Sequence, residues 1–254
     1  MKPETILVSN TCGDITALPL FQGVDVDHLH GLIDSSRLIQ HSRGKVLLVK
    51  GRPVRRFYVL LSGWCCVSKF GREGRDPILQ IFRRGDLLPE PDPSGDMATA
   101  PFNLLALTEV RVLALSLGAV RKTLEHSRPF MANMMAMSIR RANELREHIC
   151  QLTMHGAEDR VGRFLLQMKF HTGIEGYDIT LPFSKSIIAA YLGINQATFS
   201  HILQDFREKG FVIERRQVRL PNKRALCGYC NSVTRQWCNC PPHMAESRIE
   251  FSST

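Results

Sequence analysis

The stretch that most constrains this chain is residues 182–211, Pro-Phe-Ser-Lys-Ser-Ile-Ile-Ala-Ala-Tyr-Leu-Gly-Ile-Asn-Gln-Ala-Thr-Phe-Ser-His-Ile-Leu-Gln-Asp-Phe-Arg-Glu-Lys-Gly-Phe. Its spacing predicts two short helices joined by a tight turn. The Ser184 hydroxyl is suited to accept from the unpaired N–H groups of a first helical turn, with Lys185 beside it. Ile187, Ile188, Ala190 and Tyr191 make one apolar face. Gly193 suits a left-handed turn. Asn195 then caps a second helix in which Phe199, Ile202, Leu203 and Phe206 recur at helical spacing, and Gly210 ends it. The opposite face carries Gln196, Ser200, His201 and Gln204, all small or hydrogen-bonding. A helix buttressed by a neighbour, with such a face outward, is what the DNA major groove admits. An ordinary helical hairpin is the alternative.

The surroundings sharpen that choice. The chain has 254 residues, enough for two domains, and a formal net charge of +9, which favours polyanionic partners. No apolar run reaches membrane-spanning length, and the N-terminus has no signal-peptide pattern, so a cytoplasmic protein without membrane partners is expected. Before the helix pair, Gly173 to Leu181 reads as a turn and a strand. After it, Phe211-Val212-Ile213 and Gln217-Val218-Arg219-Leu220 alternate like a hairpin bent at Glu214-Arg215-Arg216. Such a wing brings Arg215 and Arg216 towards phosphates, fixing register without reading sequence.

Further upstream, residues 129–154 form a long helical segment. Met131, Met135, Ser138, Ala142, Leu145, Ile149 and Leu152 fall at alternating steps of four and three, a heptad seam between charged flanks. A parallel homodimer is the favoured reading, and packing on the chain's own domain the alternative. Cys150, next to the seam, is expected in the core. His155-Gly156 is the hinge candidate. Between Gly44 and Leu115 the pattern changes to short apolar runs punctuated by glycines, the mark of an antiparallel β sandwich or barrel. The segment Leu87–Val110 holds Glu90, Asp92, Asp96 and Glu109 but no Lys or Arg, which argues against a bound phosphate.

The order of sandwich, long helix and winged helix-turn-helix resembles the bacterial catabolite-activator / fumarate-nitrate-reductase family of transcription regulators, over residues 15–225. The phrases Ser184-Lys185 and Thr198-Phe199-Ser200-His201-Ile202 are most similar to its nitric-oxide-responsive denitrification regulators. The resemblance implies an α+β chain with an N-terminal jelly roll, a dimer helix and a C-terminal winged helix-turn-helix. The expected segments are a helical lead-in at 1–43, a β sensor domain at 44–118, a dimerisation region at 119–155, a DNA-binding domain at 156–223 and a tail at 224–254. It also implies a double-stranded operator and RNA polymerase as partners, and no enzymatic activity. The Arg that family members use for a cyclic-nucleotide phosphate has no counterpart here, so cyclic AMP is not the expected effector. Recognition helices in the family usually carry a Glu and, four residues on, an Arg; here these positions are Ala197 and His201. Gln196, Ser200 and His201 could still read base edges, and Ala197 a thymine methyl.

The tail is an addition to that plan. Cys227, Cys230, Cys238 and Cys240 are bunched as two close pairs. Four thiolates suit an iron–sulfur cluster or zinc, and the former is preferred because a regulator without a nucleotide pocket needs a signal input. A redox-active dithiol and purely structural cysteines stay open, as does haem held by a His or Cys of the sandwich. The function read from sequence is therefore a homodimeric DNA-binding regulator answering a redox, metal-cluster or gas signal. The alternatives are a thiol/disulfide redox protein using Cys227 and Cys230, and a metal-binding module that has lost DNA affinity.

Overall fold

Alternation decides the architecture of the first half of the chain. In β4 (Arg56–Ser62), Phe57, Val59 and Leu61 point to one apolar cluster, while Leu60 and the partly buried Tyr58 point to another. In β9 (Val110–Ser116), Leu113 and Leu115 join the first cluster, and Val110 and Val112 the second. Strands apolar on both faces must be covered on both.

The computed structural model describes residues 5–6, 15–68, 77–88, 99–171, 177–222 and 224–230, which fall into two compact units, 1–148 and 149–254. In the first unit β1 (Thr5–Ile6), β2 (Arg37–His41), β9, β4 and β7 (Leu87–Leu88) form one antiparallel sheet in the order β1-β2-β9-β4-β7. The second sheet, in the order β3-β8-β5-β6, is built from β3 (Val46–Leu48), β5 (Cys65–Ser68), β6 (Ile78–Phe82) and β8 (Asn103–Ala106). The second cluster lies between the sheets and includes Cys65, Phe82, Leu88 and Leu104. The first cluster packs β2, β4 and β9 against Leu29 and Leu32 of α1 (Val26–Asp34), Val120 of α2 (Leu117–His126), and Phe130, Met134 and Met137 of α3 (Arg128–Met154).

Three sequence readings need correction. Residues 37–41, expected in a helical lead-in, are a strand, paired from Arg37↔Ala114 to His41↔Val110. The helix α2 precedes the long helix, begun by Ser116, whose Oγ accepts from the Ala119 N–H at 3.3 Å. Cys150 is exposed, whereas His148 and Gln151 are buried.

One ion-pair group ties the sandwich to α3. Asp86, in the turn after β6, is 3% exposed. It pairs with Arg141 Nη2 at 2.7 Å, and accepts hydrogen bonds from Arg140 Nη2 at 3.2 Å and from the Arg83 N–H at 2.8 Å. Glu144 pairs with Arg141 at 2.7 Å and with Arg83 at 3.7 Å, and the Arg141 guanidinium lies 4.2 Å from the Phe82 ring centroid.

In the second unit, α4 (Ala157–His171), α5 (Lys185–Tyr191) and α6 (Gln196–Glu208) pack with a small sheet ordered β10-β12-β11, formed by β10 (Asp178–Thr180), β11 (Val212–Glu214) and β12 (Gln217–Arg219). No helix among the described residues is long and apolar enough to cross a membrane.

Removing one partner of a buried ion-pair group leaves the other charges without compensation. Asp86→Ala is expected to lower stability by about 3 kcal/mol. Urea unfolding followed by circular dichroism checks this, and a change within experimental error would show that Asp86 does not hold α3 to the sandwich.

Candidate nucleic-acid interface

The helix α6 is fixed by its apolar side. Phe199, Ile202, Leu203 and Phe206 are all at most 6% exposed. Ile187, Ile188 and Ala189 of α5 and Val161, Phe164 and Leu165 of α4 are equally deep. Helical periodicity then requires the opposite face to be outward. Gln196, Ala197, Ser200, His201 and Gln204 are exposed, and Thr198 is half-buried. The turn between α5 and α6 runs through Gly193, whose φ of +63° is a backbone conformation that a side chain disfavours.

The two expected caps behave differently. Asn195 Oδ1 accepts from the Thr198 N–H at 2.7 Å, closing the first turn of α6. Ser184 holds the N-cap position of α5, but its Oγ pairs with Ser186 Oγ at 2.9 Å and makes no cap hydrogen bond. Lys185 is the first residue of α5 and is half-buried. His201 Nδ1 lies 3.3 Å from Asp205 Oδ2, so its ring is oriented by its own helix.

At the hairpin tip Arg215 has a φ of +47° and is exposed. Arg216 behaves otherwise. Its guanidinium donates to the Leu181 carbonyl at 2.9 Å and to the Pro182 carbonyl, holding the hairpin against the entry to α5. Arg207 likewise bridges Gln204 Oε1 at 3.0 Å and the Ile213 carbonyl at 2.9 Å, tying α6 to β11.

The heptad residues of α3 share one outward face. Met131, Met135, Leu145, Ile149 and Leu152 are 38–60% exposed, Ser138 is exposed, and Ala142 is half-buried. Ile139, absent from the expected seam, is 57% exposed and belongs to the same apolar surface. A neighbouring face of the same helix carries Phe130, Met134 and Met137 into the core, so the two apolar stripes serve different purposes.

Of the four bunched cysteines, Cys227 and Cys230 are described and Cys238 and Cys240 lie outside the described residues. Cys227–Tyr229 is a single 3₁₀ turn that packs on α4. Tyr229 lies against Gly162, where any Cβ would come within 2.4 Å of its ring. Its hydroxyl donates to Glu158 Oε1 at 2.8 Å, and its ring centroid is 5.8 Å from that of Phe206. Glu158 Oε1 also accepts from Lys209 Nζ, at the C-terminal end of α6, at 2.7 Å. Burial pushes the Cys227 thiol up from its ordinary pKa, against the opposing pull of Arg224 and Lys169. That is the reverse of an activated catalytic thiolate. The sequence pattern gave no sign of this docking, because both Gly162 and Glu158 lie far away along the chain.

In the sandwich, Cys65 and Cys66 are both buried, and burial raises the Cys65 thiol far above its ordinary value, marking it as packing. Among the described residues no three His, Cys, Asp or Glu side chains gather as metal ligands. The cations near the α3 side of the sandwich, Arg83, Arg140 and Arg141, all pair with Asp86 or Glu144.

Comparison with known proteins agrees with this geometry. The cyclic nucleotide-binding domain family matches residues 38–127, and the Crp-like helix-turn-helix domain family matches residues 159–229. The chain is 23% identical over 216 residues to a CRP-like cAMP-activated global transcriptional regulator of Mycobacterium tuberculosis, covering 82% of this chain and 94% of that protein. It is 24% identical over 220 residues to the nitrogen fixation regulation protein FixK of Bradyrhizobium diazoefficiens, covering 84% and 91%. The solved structure of FixK2 from Bradyrhizobium japonicum superposes with a TM-score of 0.68 at 21% identity, covering 78% of this chain and 98% of that one, a likeness of fold. With a sandwich, a long helix and a polar-faced helix-turn-helix in this order, the chain belongs to the catabolite-activator / fumarate-nitrate-reductase family of DNA-binding transcription regulators.

Proposed function

We propose that the protein is a homodimeric regulator that binds a two-fold operator and answers a redox, metal-cluster or gas signal in place of cyclic AMP. The outward polar face of α6, set on a fully buried apolar face, carries the DNA-binding half of this reading. Gln196, Ser200 and His201 read base edges, Ala197 takes a thymine methyl, and Thr198 and Asn195 lie at the phosphate-facing start of the helix. Ser184, Lys185 and Arg215 contact phosphates, and Arg216 keeps Arg215 in place. RNA polymerase is the expected protein partner, and the cytoplasm the expected compartment.

The apolar stripe of α3 supports the dimer. Met131, Met135, Ser138, Ile139, Ala142, Leu145, Ile149 and Leu152 would be covered by the same residues of a second copy, as a two-fold interface requires. Two α6 helices would then sit about one duplex turn apart. Reorientation about His155-Gly156 is the proposed response to signal.

The signal class follows from what the sites offer. The absence of Lys and Arg from Leu87–Val110 speaks against cyclic AMP. Zinc or an iron–sulfur cluster would draw on Cys227 and Cys230 together with Cys238 and Cys240. No described group of residues favours a haem ligand.

Selection of bound duplexes from a random pool, followed by gel shift, tests the reading. A palindromic operator is expected. Gln196→Ala should cost about 1–3 kcal/mol at one base position of each half-site. Arg215→Ala should weaken all sequences alike and lower the salt slope by about one ion per protomer. No enrichment over the pool would refute DNA binding.

Sedimentation tests the dimer. Ile139→Asp with Ile149→Asp is expected to give a monomer with roughly a hundredfold weaker operator binding. A dimer that survives both charges would place the interface elsewhere.

A further inference from the structure

The Cys227–Cys230 turn is docked on the back of the helix that faces DNA. Residues 224–230 wind through consecutive turns, with Cys227 N–H donating to the Arg224 carbonyl at 2.9 Å, Tyr229 N–H to Leu226 at 3.1 Å, and Cys230 N–H to Cys227 at 3.1 Å. Leu226, Cys227, Tyr229 and Cys230 are 2–8% exposed, while Gly228 opens onto free space. Tyr229 is the key contact: it fills the notch at Gly162, lies tilted against the Phe206 ring of α6, and shares the Glu158 carboxylate with Lys209 at the end of α6.

The same turn brings two thiols together. In a 3₁₀ turn, residues three apart lie on one face. A turn closed by an i to i+3 hydrogen bond holds its end Cα atoms within about 7 Å, which overlaps the span of about 4.4–6.8 Å that a disulfide bridges. Neither cysteine is in a disulfide in this structure. Among the described residues no third metal ligand joins them.

We propose that Cys227 and Cys230 form a reversible disulfide with each other, and that this bond acts on DNA binding through Tyr229. The inference rests on the reading of the protein as a DNA-binding regulator. The oxidant is a peroxide. One thiol gives up its proton and attacks a peroxide oxygen, the O–O bond breaks, and a sulfenic acid forms with release of water or an alcohol. The second sulfur attacks the sulfenic sulfur, the S–S bond forms, and a second water leaves. Two thiols are oxidised by two electrons and one peroxide is reduced.

The physical balance favours this product. Burial opposes a thiolate, so formation is slow, but the disulfide is uncharged and burial does not oppose it. The bond fixes the backbone that presents Tyr229, and with it the seating of Phe206 and Lys209. A recognition helix held more rigidly loses less freedom when it binds DNA. The oxidised protein is therefore the tighter binder. Tyr229 is a positioning residue, and the cysteines are the modified site.

The test uses the full chain, with the operator obtained by selection. The protein is treated with hydrogen peroxide and then with a thiol reductant. Peptide mapping is expected to show Cys227 joined to Cys230, with the loss of two hydrogen atoms. Operator affinity is expected to rise about fivefold on oxidation and to return on reduction. Cys227→Ser and Cys230→Ser, made singly, should abolish the response. Tyr229→Phe keeps the ring contact but loses the bond to Glu158, and should still form the disulfide while the affinity shift shrinks. The inference is overturned by a disulfide to another cysteine, by stoichiometric metal on Cys227 and Cys230 in the purified protein, or by an affinity that stays constant or falls on oxidation. If no duplex is selected at all, the regulator reading fails first, and peptide mapping still decides whether the disulfide forms.

Discussion

The burial of one side of α6 is the constraint from which the DNA-facing unit is built. Phe199, Ile202, Leu203 and Phe206 cannot face water without losing roughly 1.5–3 kcal/mol each. They are covered from α5, from α4 and from the ring pair Phe206–Phe211, whose centroids are 4.9 Å apart. Once that side is fixed, helical geometry leaves no choice for Gln196, Ser200 and His201, which must face out. Their exposure is a consequence of packing, and it explains how residues that differ from the family's usual Glu and Arg can sit in the same place. The scaffold sets where the helix lies; the outward side chains set what it reads.

That separation governs how far the sequence could be read. Local periodicity made α3, α5 and α6 legible, because each carries its apolar face at helical spacing. The sandwich was legible from its glycine-punctuated apolar runs. What escaped was set by contacts distant in sequence. Residues 37–41 fall inside the expected helical lead-in, and only their pairing with β9 makes them a strand. Arg216 looked like a phosphate ligand beside Arg215, and its engagement by Leu181 and Pro182 depends on a sheet that brings the hairpin back to α5. Ile139 was missed because a strict heptad omits it, although a straight helix offers a wider outward strip. The Ser116 cap was in the sequence, and the short α2 that it starts went unread.

The two units also differ in how they treat charge. In the sandwich unit, Asp86 and Glu144 gather three guanidinium groups, and those cations serve cohesion. Arginine suits this work because its planar fork satisfies two carboxylates at once and its face rests on Phe82. In the DNA-facing unit the wing offers Arg215 to solvent on a hairpin whose neighbour is anchored to backbone carbonyls. A net charge of +9 is therefore a poor guide to where polyanions bind, since part of the basic character is neutralised inside the fold.

The position of the cysteine turn bears on how a signal can act. A ligand shifts an equilibrium only by the difference in its free energy of interaction with the two states. A signal received in the sandwich would therefore have to find two arrangements of the whole protein that differ at its own site. A bond between Cys227 and Cys230 faces a smaller task. Tyr229 touches Gly162 on one side and Phe206 on the other, with no space for a Cβ between ring and helix. Close-packed interiors transmit small displacements because they have no voids to absorb them. A change in the turn must move Tyr229, and Tyr229 cannot move without disturbing the seating of α6. The coupling is then local to one packed cluster and needs no motion about His155-Gly156, so the proposed bond would act on α6 by a route of its own.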